Sequence, residues 1–118
     1  FSASSSSHYT LETVDGATGV ATPGSDPELT LTVGKRYRIV NKRLFEHPFA
    51  FSSSETYSTA DLLLKDDGTG SLANNADVRF EKNTDGFTFT LTSELAAQLK
   101  SYLCTFHPDM FGIVKVTP

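Results

Sequence analysis

The sequence predicts an all-β domain, a β-sandwich or barrel of about eight short strands with one short helix near residues 93–99,. Three observations carry that expectation. Apolar and polar residues alternate at period two in several short runs, turn-forming groups separate those runs, and only one stretch has helical spacing.

The clearest strand is "ELTLTV" (28–33), where Leu29, Leu31 and Val33 alternate with Glu28, Thr30 and Thr32,. "FTFTLT" (87–92) repeats the pattern, with Phe87, Phe89 and Leu91 facing inward. Weaker versions occur at "YTLETV" (9–14), "RYRIV" (36–40), "PFAFS" (48–52), "VRFEK" (78–82), "SYLCT" (101–105) and "GIVKVT" (112–117). "DGATG", "TPGSDP", "VGK" and "NTDG" supply turns between them,. In "TSELAAQLK" (92–100), Ser93 is the expected helix cap, Glu94 favours the positive end, and Leu95 and Leu99 stack at i, i+4,. The segment 52–77 holds a single apolar cluster, Leu62 to Leu64, among polar and turn-forming residues, and is read as a long excursion with little local structure,.

At 118 residues the chain has room for one core,. The Ser-rich opening, residues 1–8, reads as a flexible tether, and residues 9–118 as the single domain, expected to be a monomer,. A net charge of −4, with basic residues scattered apart from "KRYR" and "NKR", excludes the electrostatic footprint of a nucleic-acid binder,. Those basic groups are expected on solvated strand faces. No apolar run approaches the roughly 18 residues needed to span a bilayer,. The opening on Phe1 leaves room for a leader or membrane anchor in a longer precursor,.

The chemistry concentrates in "SYLCTFHPDMFGIVKV" (101–116). There the only cysteine, Cys104, one of three histidines, His107, and the only methionine, Met110, stand at three-residue intervals. A single cysteine builds neither an internal disulfide nor a four-thiolate zinc site, so Cys104 is a free thiol or a ligand,. A strand ending at Cys104, a tight loop over "TFHPD" and a following strand would turn thiolate, imidazole and thioether toward one point. Two His and one Cys with a long, weak Met contact form the ligand field of a blue-copper site. "LFEHPFAF" supplies the second histidine, His47, within the apolar residues Phe45, Pro48, Phe49 and Phe51. The expected metal ligands are therefore His47, Cys104, His107 and Met110.

"CTFHPDMFGIVKV", with "HPF" upstream, resembles the cupredoxins, the family of plastocyanin, azurin, amicyanin and halocyanin; the C-x-x-H-x-x-M spacing looks most like amicyanin,. The resemblance runs through about residues 28–118 in order of elements and is specific only at the two motifs,. It implies a Greek-key β-sandwich with one Cu(I)/Cu(II) ion at one end and a location outside the cytoplasm. It also implies electron exchange through His107, and the residues around it, Phe106, Pro108 and Phe111 with Phe45 and Pro48, are expected to form an apolar docking patch for a redox donor and acceptor,. Two departures stand out. Pro48 replaces the Asn that commonly follows the first histidine and lacks an amide to tie the ligand loops together; the helical "TSELAAQLK" replaces a plain glycine turn.

Other chemistries fit less well. A lone Cys is ordinarily a small buried hydrophobe and a lone Met a gap-filler, but the cluster of three ligand types outweighs those separate readings. Cys104 and His107 as nucleophile and base lack a legible third group and leave Met110 unexplained. "DDGTG" (66–70) lacks the alternating ligands of a calcium loop and reads as a turn,. Oxygen reduction at a copper cluster needs more than three histidines. What remains is a non-catalytic one-electron carrier, with copper storage or delivery, or a metal-free interaction module, as alternatives.

Overall fold

A computed structural model of the chain describes residues 2–3, 9–10, 12–13, 20–21, 28–40, 47–84 and 86–118. Among the described residues the architecture is all-β, two main sheets with a separate two-stranded pair and one short helix. In chain order the elements are β1 (Ser2–Ala3), β2 (Tyr9–Thr10), β3 (Glu12–Thr13), β4 (Val20–Ala21), β5 (Leu29–Thr32), β6 (Arg36–Val40), β7 (Phe49–Ser52) and β8 (Leu62–Lys65). They continue with β9 (Glu81–Asn83), β10 (Gly86–Thr90), α1 (Ser93–Gln98), β11 (Ser101–Cys104) and β12 (His107–Thr117). One sheet has the order β3-β6-β10-β9 and the other β4-β5-β12-β11-β7-β8, while β1 and β2 pair with each other. Neighbours are antiparallel except β5 and β12, which run parallel from Leu29↔Val114 to Thr32↔Thr117.

Period-two alternation holds where it was strongest in the sequence. Leu29 and Leu31 are fully buried on β5 between half-buried neighbours, and Tyr37 and Ile39 are buried on β6. Phe87, Phe89 and Leu91 all face inward. Strand β7 is buried on both faces, and its rings bridge the two sheets. Phe51 meets Phe89 edge to face at 5.2 Å between centroids, and Phe49 lies 5.9 Å from Phe87,. Burying each such ring contributes about 1.5–3 kcal/mol, so this aromatic seam helps hold the two sheets together. The "VGK" turn forms as expected, with Gly34 at φ +89, a left-handed conformation that glycine adopts without strain,.

Several expected boundaries shift. The helix is capped by Thr92, not Ser93: Thr92 keeps an extended backbone and its hydroxyl accepts from the Leu95 amide at 3.1 Å, while Ser93 is already the first helical residue,. Leu95 and Leu99 are both buried as the i, i+4 spacing requires. The strand expected over 78–82 begins only at Glu81, because Arg79 adopts a left-handed φ of 51° and breaks the extended run before it,. Nor is the first basic group simply solvated. Arg36 donates to Thr90 Oγ1, the Arg79 carbonyl and Glu81, clamping the turn that Arg79 makes.

The 52–77 excursion contains a strand of the larger sheet, β8, paired with β7 through Ala50↔Lys65 and Phe51↔Leu64. "DDGTG" is a turn: the Lys65 amide donates to the Thr69 carbonyl at 2.8 Å, and the Asp67 carboxylate accepts from the Thr69 amide and hydroxyl. Of the stretch read as a tether, residues 1 and 4–8 lie outside the described residues, and Ser2–Ala3 pairs with Tyr9–Thr10. Residues 11 and 14 of the first expected strand, the turns "DGATG" and "TPGSDP", "NKR", Phe45 and Asp85 of "NTDG" also lie outside them. No helix among the described residues is long and apolar enough to cross a membrane.

Candidate metal centre

Strand β11 carries the chain's thiol to the end of the larger sheet, where Cys104 pairs with Phe49 of β7 on one side and His107 of β12 on the other. The adjacency of β7 and β11 brings His47, two residues before Phe49, beside Cys104. On the other side the chain reverses through Thr105 and Phe106 alone. The expected tight loop is therefore a two-residue turn, and the strand after it begins at His107 instead of Gly112.

Between Leu103↔Phe111 and Cys104↔His107 the register slips, leaving Pro108, Asp109 and Met110 as a bulge in β12,. Pro108 has no amide to give to a ladder, which suits a bulge. The slip is what allows Met110, 1% exposed, into the same core cluster as Cys104, 0% exposed.

Three donor atoms converge. His47 Nδ1 and His107 Nδ1 are 3.2 Å apart, Cys104 Sγ is 3.3 Å from His107 Nδ1 and 3.9 Å from His47 Nδ1, and the two rings are tilted by 46°. The circle through those atoms has a radius of about 2.0 Å, close to the roughly 2.0–2.3 Å at which imidazole nitrogen and thiolate bind divalent metals,. The triangle is thus the right size for one metal ion near its centre. Among the described residues no fourth His, Cys, Asp or Glu joins the group. His47, 5% exposed, closes the inner side, while His107 reaches the surface at the turn.

The two ligand segments are tied together despite Pro48. Its carbonyl accepts from the Thr105 amide at 3.0 Å, so the proline serves as acceptor where it cannot donate,. The Phe49 amide, next in the chain, donates to Asp66 Oδ2 at 2.8 Å, and the Asp66 amide returns a bond to the Phe49 carbonyl at 3.0 Å. Asp66 is 1% exposed, a placement its turn-forming neighbours gave no sign of. The Tyr57 hydroxyl donates to the Cys104 carbonyl at 2.7 Å. Burial pushes the Tyr57 phenol above its ordinary pKa, and the nearby negative charge of a Cys104 thiolate adds to the rise,. Neither Tyr57 nor Asp66 carries a local sequence signal, since their partners lie 47 and 17 residues away.

Around the opening, Phe106 is 62% exposed and His107 and Pro108 are at the surface, while Phe111 is half-buried. Pro48 is buried beneath the turn it bonds to and does not belong to the expected surface patch. Comparisons of the chain with protein-family models, with curated proteins and with solved structures return no match.

Proposed function

We propose that the chain is a mononuclear type 1 copper protein of cupredoxin kind, a one-electron carrier between larger redox proteins and not an enzyme. The observation that carries this reading is the triangle of His47 Nδ1, Cys104 Sγ and His107 Nδ1. Structural zinc is ordinarily held by four strong donors. Here three are gathered, and Met110, buried in the same cluster as Cys104, is the candidate for a weak fourth. Two imidazoles, a thiolate and a distant thioether are the donor set that suits copper in both oxidation states.

Bound copper would supply a reversible one-electron couple. The chain's own contribution is rigidity and access. Cys104 and Met110 are enclosed by the core, His47 is held by the start of β7, and the Thr105–Pro48 bond locks the two segments. A ligand set so braced changes little when charge changes, which favours rapid transfer. His107 is the ligand that reaches the surface, and Phe106 beside it offers an apolar contact for brief encounters of small area,. Work between extracytoplasmic redox partners fits this reading.

Cyclic voltammetry of the copper-loaded protein, paired with a Cu(I) chelator challenge, tests the carrier reading. Reversible one-electron cycling with copper retained is expected. Ready surrender of Cu(I) to the chelator would replace it with storage or delivery.

A further inference from the structure

The excursion between β7 and β8 projects one aromatic side chain, Tyr57, back to the candidate metal centre. Its hydroxyl donates to the Cys104 carbonyl at 2.7 Å, the distance of a well-formed O–H···O hydrogen bond,. That carbonyl belongs to the peptide between Cys104 and Thr105, and the amide of the same peptide is the one that donates to the Pro48 carbonyl. The peptide is therefore gripped at both polar atoms, by Tyr57 on its oxygen and by the His47 segment on its nitrogen.

We infer that Tyr57 is a positioning residue for the metal centre, acting through the Cys104–Thr105 peptide to fix the thiolate and raise the reduction potential. The inference rests on the copper reading given above. Its physical basis is twofold. Holding the peptide plane restrains the chain at the residue that bears Sγ, and partners beyond the direct ligands commonly orient and tune those ligands. The O–H dipole also points its positive end at the Cys104 main chain. Reduction adds one electron to the site, so a positive end directed at it stabilises the reduced state and raises the potential.

Among the described residues, other hydrogen bonds of this segment lie elsewhere. Ser54, Ser58 and Asp61 bond within the excursion or to Ser52 and Ser101, away from the ligand turn. Tyr57→Phe keeps the ring and deletes only the donor. The test compares Tyr57→Phe with wild type in two readouts: the reduction potential of the copper-loaded proteins by spectroelectrochemistry, and hydrogen exchange at the Thr105 amide in the metal-free proteins.

The expected result is a retained blue band, a potential lower than wild type, and faster exchange at Thr105. A wild-type potential in the variant, or unchanged exchange at Thr105, overturns the inference. A wild type that forms no blue band overturns the copper reading instead, and with it the effect on potential, while the exchange measurement still decides whether Tyr57 holds the turn.

Discussion

Gly112 lies opposite Tyr102 across the β11–β12 ladder, and a Cβ built on it would overlap Cε2, Cζ and Oη of the Tyr102 ring. The ring has nowhere to retreat. It is fully buried, and it stacks on Phe49 at 5.7 Å with 14° between the planes. Gly112→Ala must therefore displace either the ring or the strand, and overpacking of this kind costs about 1–3 kcal/mol. For a domain of this size that is a fall in Tm of roughly 3–15 °C. Thermal unfolding of the metal-free protein followed by circular dichroism measures it. Adding Tyr102→Leu should recover much of the loss, because the two changes share one space, and a coupling of about 1 kcal/mol or more is expected. Gly112→Ala melting with wild type, or losses that simply add, would refute the packing argument.

Three further perturbations bear on the site. Met110→Leu exchanges a buried thioether for an aliphatic chain of similar volume. It should cost less than about 1.5 kcal/mol, keep the blue colour and raise the reduction potential, and a potential that falls or stays put removes Met110 from the ligand set. Phe106→Glu changes only the exposed rim; transfer to a redox partner, followed by stopped flow, should slow while the visible spectrum holds, and loss of colour would make Phe106 a support of the site. Asp66→Ala strands the Phe49 amide in the interior, with an expected loss of about 1–3 kcal/mol in chemical denaturation, whereas Asp66→Asn keeps an acceptor and should lose less,. Equal losses would mean that the charge matters and the bond to Phe49 does not.

Much of the scaffold was legible because its signals are local. Leu29 and Leu31, or Phe87 and Phe89, declare their common face by spacing alone, and Leu95 and Leu99 declare theirs across one helical turn. Cys104 and His107 were legible for the same reason, three residues apart on either side of a short reversal. His47 was found by its chemistry and by an expected adjacency of strands that β7 and β11 fulfil.

What stayed hidden depends on partners far along the chain. Nothing near Leu62 says that it begins a strand beside β7, and nothing near Asp66 says that its carboxylate turns inward to the Phe49 amide. Arg79 takes a left-handed conformation that breaks an otherwise plausible strand, and the bond that clamps its carbonyl comes from Arg36, 43 residues earlier. Pro48 looked like a lost link between the ligand segments, since only its missing amide is visible in sequence; its carbonyl makes the link from the other direction.

In the proposed site His47, Cys104 and His107 hold one copper ion through the Cys104 thiolate. A visible absorption spectrum recorded during Cu(II) titration, with Cys104→Ala alongside, tests it most directly. The account predicts an intense blue thiolate-to-copper band that saturates at one equivalent and is absent from the variant. A wild type without that band, or a band that survives in Cys104→Ala, would contradict it.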